Sequence, residues 1–402
     1  MNLILHDTKS KIFLLVAFIL YIGIDLFYFP SHTIFPDESR FFSEAYKFAN
    51  TGEFWTGDSR AWEMPFTAII YGIFVKIFNS YALYSIRIFQ AFLLIIMSIG
   101  VYQLTYLLFK NKNIALLSMV ITLFYPFFIY YQGILLSETL FNTFLIWAFV
   151  FLYKFKENNF KIGKFLFLSI LFFILGIYIK ATLTILPILL IPFFTFLYKG
   201  LQYSIKIFGV VLVSYLLLLS FWWIRNYIVL DKFVIFTTSS GANLYLGNNE
   251  YNKFGGIDWG KDVDKERVKK IKNSKLSEIE KDKIFKQKAI DYIKNNPDRF
   301  FELMKYKFFR FWNIQFNNKN FKHSFYNYIM IFSFTPILIG FLISLFLLKD
   351  RLKLISPIFI LIFYFSLLHS VVISSLRYRL PIEPFLIILA SYSFYFIYKR
   401  LK

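Results

Sequence analysis

The sequence predicts an all-α, polytopic membrane protein, and three observations carry that reading. Of the 402 residues, 58% are hydrophobic and 22% aromatic, and the mean hydropathy is +0.56, more than a soluble core of this size needs. The apolar residues fall in repeated runs of roughly 17–25 residues, the length a spanning helix requires. Basic residues collect between those runs, so the formal charge of +21 reads as an orientation signal before it reads as a nucleic-acid footprint.

Candidate spans cover 12–29, 85–109, 114–131, 136–153, 165–180, 183–198, 205–223, 327–348, 354–374 and 383–398, about ten in all. No small-residue cleavage site interrupts Phe18 to Phe29, so the first span is expected to stay as an anchor. Met64 to Phe78 is apolar but short, and it holds Gly72 and Lys76. Charge parity places it. If it does not cross, Lys110 and Lys112, the cluster from Lys154 to Lys164, Lys199 and Lys206, the Lys349–Lys353 turn and the Lys399–Lys402 end all fall inside. If it crosses, all of them fall outside, against the positive-inside rule. The segment is therefore expected to be an outer juxtamembrane or re-entrant helix.

Three regions follow from this topology. Residues 1–223 form an N-terminal transmembrane module that includes a first external loop, 30–84. Residues 224–326 form an extracytoplasmic region, and residues 327–402 the C-terminal helices. The second region is Lys-rich, but long loops translocate largely regardless of charge. Within it, the Gly, Asn and Ser of Thr237 to Trp259 predict turns with short strands. Ser274 to Asn296 predicts an amphipathic helix capped at Ser274 or Ser277 and broken by Asn296-Pro297. Arg299 to Trp312 mixes basic and aromatic residues, as a helix lying in the interface does.

Polar residues from separate segments then collect at the outer ends of spans. Asp37 and Glu38 follow the first span, and Glu63 precedes the short apolar segment. Ser137-Glu138 opens the fourth span, Lys180 lies between the fifth and sixth, Arg225-Asn226 follows the seventh, and Arg377-Tyr378-Arg379 precedes the tenth. Any one of the cations, Lys180 above all, is by itself an interfacial anchor or a snorkelling side chain. A lone carboxylate is by itself merely solvated, although acids contribute little to topology. The convergence carries the argument, because ionisable groups near membrane depth face a cavity and a partner. Asp25 and His369 lie near the same face and read equally well as cavity-lining groups or as interhelical polar partners.

Carboxylates facing several cations at a membrane surface suit transfer from a lipid-linked phosphate. A carboxylate can take the proton of an attacking hydroxyl. Arg and Lys can hold the departing phosphate, where negative charge grows in the transition state. Other chemistries have no visible equipment. Cysteine is absent, which excludes disulfides, thiolate zinc sites and cysteine nucleophiles. There is no P-loop, no dinucleotide fingerprint, no His-Glu-x-x-His and no Gly-x-Ser-x-Gly, so a nucleotide-sugar donor has no binding element.

Several short stretches, in order along nearly the whole chain, carry a resemblance. They are Pro36-Asp37-Glu38, Met64-Pro65-Phe66, Arg87, Leu136-Ser137-Glu138-Thr139-Leu140-Phe141, Trp222 to Tyr227, Ser239 to Asn249, and Arg377-Tyr378-Arg379-Leu380-Pro381 with Glu383-Pro384. With these the sequence resembles the GT-C superfamily of membrane glycosyltransferases, and within it the bacterial group related to protein O-mannosyltransferases and lipid A aminoarabinose transferases. The resemblance implies a polyprenyl-phosphate sugar donor such as an undecaprenyl-phosphate sugar, an active site outside the cytoplasm, and inversion at the anomeric carbon. It implies Asp37 as catalytic base, with Glu38 as its acidic partner. Lys180, Arg225, Arg377 and Arg379 would contact the donor phosphate, and Glu138, Tyr378, His369 and Glu63 are further site candidates. Relatives often carry His-Pro-Pro or aromatic-Pro-Pro where this chain has Glu63-Met64-Pro65, a departure that bears on the acceptor.

No cofactor is called for. Glu38, Glu63, Asp58 and Glu138 are the acids that could hold a divalent cation, and metal dependence stays open. The Lys, Ile, Phe and Asn richness fits an AT-rich bacterial genome, hence a bacterial plasma membrane. The expected partners are the lipid-linked donor, membrane lipid, and an acceptor glycan, lipid or protein, with no nucleic acid. The rival reading is a transporter or flippase of lipid-linked sugars, which would use the same cations without a base at position 37. Against it, the two halves show no repeat of interrupted helices. A structural or receptor membrane protein leaves the outer charges unexplained.

Overall fold

The computed structural model describes residues 8–317 and 324–402. The ends of the predicted regions that fall on residues 1–7 and 318–323 lie outside the described residues. The fold is all-helical, and among the described residues the only β pairing is one isolated bridge, Thr56 with Ser59. The chain is a multi-pass membrane protein. Among the described residues six helical stretches are long and apolar enough to cross a bilayer: Thr8–Phe27, Phe66–Phe109, Ala181–Lys199, Leu201–Leu230, Phe325–Leu347 and Lys349–Val371. A bent pair makes a seventh.

The first of these, α1 (Thr8–Phe27), leads into α2 (Pro36–Thr51), α3 (Phe66–Phe78) and α4 (Ala82–Phe109). Residues 30–84 are thus largely helical: the sequence anticipates a helix over 64–78, where α3 lies, and does not anticipate α2. Pro36 occupies the first turn of α2, where its missing N–H costs nothing, and Asp37 and Glu38 face the positive end of the helix dipole. Gly52, at φ 73°, ends the helix in the left-handed conformation.

The stretch 66–109 is two helices and not one rod. Asn79 takes φ 47° between them, and α3 turns back along α4. The reversal brings Tyr71 to within 3.0 Å of Gln90 and the Phe74 ring to 4.8 Å from that of Phe89. At 1.5 Å per residue, the 13 residues of α3 extend only about 20 Å, too short for the hydrocarbon core.

Next come α5 (Lys112–Leu123) and α6 (Pro126–Gln132). The single span expected over 114–131 is therefore corrected to a pair bent by 50°. Pro126 excludes Tyr125 from the helical region, and Tyr125 sits extended at φ −73°, ψ 116°. The following α7 (Glu138–Glu157) and α8 (Lys164–Ile179) occupy the fourth and fifth predicted spans. With 16 residues, α8 is short. Although α7 carries polar residues such as Glu138, Asn142 and Thr143, it turns them inward and is buried along most of its length. Two outer helices follow, α9 (Leu186–Lys199) and α10 (Leu201–Leu230). Leu217, Phe221 and Ile228 stand exposed on α10, as lipid-facing residues do.

Between α10 and residue 317 the chain forms four further helices. They are α11 (Ser240–Gly247), α12 (Lys265–Lys272), α13 (Glu278–Asn295) and α14 (Pro297–Trp312). The short strands expected between Thr237 and Trp259 are replaced by α11 and an asparagine-braced turn. Asn248, Asn249 and Asn252 donate side-chain amides to the backbone carbonyls of Leu244, Tyr245 and Leu246, satisfying groups that a strand would have paired. Gly247 leaves no room for a side chain, since a Cβ there would meet the Val372 carbonyl oxygen at 1.8 Å. Ser277, and not Ser274, caps α13, in a reciprocal capping box with Glu280. The buried stripe of α14 is Leu303, Lys307 and Phe311, with Phe301, Phe308 and Phe309 exposed.

Finally α15 (Phe325–Leu347), α16 (Leu352–Val371) and α17 (Glu383–Leu401) return through the core. Gly340 lets α15 lie close to Ala390 of α17, as small residues do between membrane helices. A 3₁₀ turn, Leu376–Arg379, joins α16 to α17 and carries three of the predicted site residues.

Candidate active site

The site grows from α2. One stripe of this helix, Asp37, Arg40 and Glu44, recurs at helical spacing, and a second stripe, Glu38, Phe41 and Ala45, lies beside it and is buried. The first stripe faces a cluster of charges from separate elements. Arg377 of the 3₁₀ turn donates to Asp37 Oδ2 at 2.6 Å. The same guanidinium pairs through Nε with Glu138 at the head of α7, at 3.1 Å. Lys180, just past α8, donates to Glu138 Oε1 at 2.9 Å. Arg40 pairs with Asp37 at 3.4 Å and with Glu63 ahead of α3.

The groups differ in access. Glu138 is almost fully buried at 2% side-chain exposure, whereas Asp37 is 42% exposed. Glu138 thus acts as the internal anchor that fixes Arg377 and Lys180, and Asp37 is the carboxylate open to a visitor. Burial raises the Asp37 carboxyl, but Arg377 first, then Arg40 and Lys180, outweigh it and hold the group below the usual carboxylate range. Burial likewise works against the Arg377 charge, and Glu138 and Asp37 outweigh it.

Tyr378 completes one wall. Its ring stacks on His369 at 4.8 Å, and His369 in turn stacks on Phe311. The His369 ring is buried, with Nδ1 3.0 Å from the Ile373 carbonyl oxygen. It braces the wall and does not join the charge cluster. Asp25 is buried against Gln132 at 3.1 Å, the interhelical partner that one of the two readings foresaw.

Three predicted site residues lie elsewhere, and each departure has a physical reason. Glu38 is fully buried with Arg87 at 3.3 Å and accepts the N–H groups of Ile34 and Leu135. It is a structural ion pair holding the chain before α2 to α4, not an acidic partner at the cluster. Arg379 is also fully buried, bound to Glu383 at 2.7 Å and to the Phe311 and Asn313 carbonyls. Arg225 donates to the Arg60 carbonyl at 2.8 Å and lies over the rings of Phe54 and Trp222. Neither guanidinium contacts the Asp37 cluster.

Nor do Glu38, Glu63, Asp58 and Glu138 converge on one point, since Glu38, Glu63 and Glu138 pair with different cations and Asp58 lines a separate groove. Among the described residues no group of three or more His, Asp or Glu side chains is gathered as a metal ion would need. Sequence reasoning missed Arg40 and Glu44. Their spacing of three and seven residues from Asp37 signals them once α2 is seen as a helix. Glu44 is buried beside Thr56, and burial, with Glu63 next, pushes its carboxyl up to about 7.

Over residues 63–224 the chain matches the family described as dolichyl-phosphate-mannose-protein mannosyltransferase. That stretch includes Glu63, Glu138 and Lys180 and leaves out Asp37 and Arg377. No curated protein matches the chain by sequence. Solved structures match almost end to end. ArnT from Cupriavidus metallidurans bound to undecaprenyl phosphate aligns at a TM-score of 0.64 with 13% identity, covering 96% of this chain and 60% of that one. The archaeal oligosaccharyltransferase AglB from Archaeoglobus fulgidus, in complex with an inhibitory peptide and a dolichol-phosphate, aligns at 0.53 with 12% identity, covering 98% and 51%. The chain therefore spans about 60% of the ArnT chain and about half of the AglB chain. At these identities the likeness is one of fold, and it is the fold of the GT-C membrane glycosyltransferases, with a mannosyltransferase-like stretch over residues 63–224.

Proposed function

We propose that the chain is an inverting glycosyltransferase. It moves one sugar from a polyprenyl-phosphate donor to a hydroxyl or amine of a glycan, lipid or protein, at the outer face of a bacterial plasma membrane. The observation that carries this reading is the charge cluster itself: an accessible carboxylate, Asp37, joined through Arg377 to a buried Glu138 that also holds Lys180. The undecaprenyl phosphate bound by ArnT and the dolichol phosphate bound by AglB support a lipid-linked phosphate as the ligand.

The chemistry follows from the pairing. At rest Asp37 is neutralised by Arg377 and Arg40, which makes it a poor base. A donor phosphate competes for Arg377 and Lys180 with at least the charge of a carboxylate, and loosens the Asp37 pair. The freed carboxylate then becomes more basic just as the donor arrives. It takes the acceptor proton while the acceptor oxygen or nitrogen attacks the anomeric carbon. The bond to the phosphate oxygen breaks on the opposite face, its electron pair leaves with the polyprenyl phosphate, and the configuration inverts. Arg377 and Lys180 meet the charge that grows there.

The test is transfer of radiolabelled sugar from synthetic polyprenyl-phosphate sugars by membranes carrying wild type or Asp37→Asn, supplied with candidate acceptors. Transfer lost in Asp37→Asn while donor binding persists is the expected result. Unchanged turnover in the variant would remove Asp37 as base. Donor binding without transfer by wild type would favour a flippase, which needs the same cations and no base.

A further inference from the structure

An open groove of about 500 Å³ lies away from the charge cluster, between residues 53–62, the end of α10 and the head of α13. Its size falls in the range of about 300–1,000 Å³ that small-molecule sites occupy. Trp55, Asp58, Arg60, Lys232, Ser277 and Glu278 line it. We propose that this groove binds a neutral oligosaccharide segment of the acceptor. The inference rests on the glycosyl-transfer reading and adds to it the class of acceptor.

Three observations carry it. First, the indole has a partner on its edge and another over one face. Trp55 donates through Nε1 to Glu53 at 2.7 Å, and the Arg60 guanidinium lies 4.4 Å from its ring centre. An aromatic surface among hydroxyl, carboxylate and ammonium groups suits a sugar, with its apolar C–H face and polar rim. The platform is built and not incidental. Glu278 accepts the backbone N–H groups of Arg60 and Ala61, at 2.9 and 3.2 Å, and the hydroxyl of Thr238 at 2.6 Å. It ties the groove's two sides together. Arg225 adds a bond to the Arg60 carbonyl from α10.

Second, the lining charges cancel. Asp58 and Glu278 balance Arg60 and Lys232, whereas a site for a polyanion would gather cations. An extended peptide has no strand edge to join, since no strand occurs among the described residues.

Third, the groove leads to the chemistry. A narrower crevice shares Trp55 and Arg60 with it and reaches Glu63. Glu63 pairs with Arg40, and Arg40 with Asp37. The crevice itself holds only about 10 Å³, so what joins the groove to the proposed base is a shared wall of residues and not a channel.

The test uses the full chain in nanodiscs and saturation-transfer NMR with mannotriose, maltotriose and chitotriose. Wild type is expected to bind at least one of the three, and Trp55→Ala to bind it about ten-fold more weakly, the scale of a lost ring contact plus its buried area. Trp55→Phe keeps a ring, guards against misfolding, and is expected to retain most of the affinity. Binding should persist in Asp37→Asn, which separates this proposal from the transfer reading. Sugar binding through Trp55 with no transfer would sink the latter alone. No binding of any trisaccharide by wild type, or binding indifferent to Trp55→Ala, overturns the groove as a glycan site. So does preferential binding of poly(glycerol phosphate) that weakens in Lys232→Ala, which would make the site one for a polyanion.

Discussion

Asp37 and Glu38 are neighbours in sequence and have opposite fates. One helical step turns a side chain by about 100°, enough to carry it from one face of α2 to the other. Asp37 points to a cluster where it is 42% exposed and shared between Arg377 and Arg40. Glu38 goes into the protein, fully buried, with its oxygens taken by Arg87 and two backbone N–H groups. An acid whose every partner is internal can hold the fold but cannot exchange partners with a ligand. An acid held by cations at an open edge can do so.

The two faces of α2 should therefore fail in different ways. The largest effect expected is on activity. Asp37→Asn should lower transfer by about 10²–10⁴-fold, the usual contribution of general-base catalysis, with little change in thermal stability. Arg87→Ala should do the reverse. It leaves Glu38 as an unpaired buried charge and should cost about 3–5 kcal/mol of stability, seen as a lower melting temperature in detergent. An Arg87→Ala protein that lost activity while its melting temperature held would contradict that division.

A smaller effect concerns pH. Because Arg377 is the leading influence that lowers the Asp37 carboxyl, Arg377→Ala should raise it, and the acid limb of kcat/KM should move to higher pH. A group depressed in this way adds stability above its unfolded value and loses it as pH falls through the folded one. The stability profile of wild type should thus decline in acid, and that of the variant should decline less, because a smaller depression leaves less stability to lose. Exposure of both groups to solvent keeps the effect modest.

The smallest effect belongs to Glu44, which shares the open stripe with Asp37 and yet is buried. Its carboxyl is raised to about 7, so the stability it contributes is present below its unfolded value near 4.5 and is lost as pH rises through 7. Glu44→Gln should raise stability at pH 8 relative to wild type by a few kcal/mol at most, seen as a higher melting temperature, and leave it unchanged at pH 4. No difference at pH 8 would mean that Glu44 behaves as Asp37 does.

Much of this was legible in the sequence, for reasons that also mark where reading stopped. Apolar run lengths located the helices, and charge parity brought Asp37, Glu138, Lys180 and Arg377 toward one end of them. These residues do meet. Parity places a residue at a depth but does not say which way it points, and Glu38, Arg225 and Arg379 turn to internal partners. The bend at Pro126 was written in the sequence, as was the start of α2 at Pro36 followed by two acids, but hydropathy averaged over a span obscures both. Arg40 could be seen only once α2 was known to be a helix. The asparagine turn after α11 carried no periodic signal at all, since its amides bond to local carbonyls and not to a ladder.

One feature of the C-terminal half shapes how the site can work. Lys307 of α14 is buried, with its ammonium donating to the carbonyls of Val371 and Val372 at 2.8 and 3.3 Å. Arg379 answers from the other side by gripping the carbonyls of Phe311 and Asn313 in the chain that ends α14. The segment carrying Arg377 is thus bolted at both ends to a single helix. Arg377 resembles a stator, a positive post on a segment braced at both ends. On the proposed reading, the displacement that admits a phosphate falls opposite, in Lys180 or in the first turn of α2.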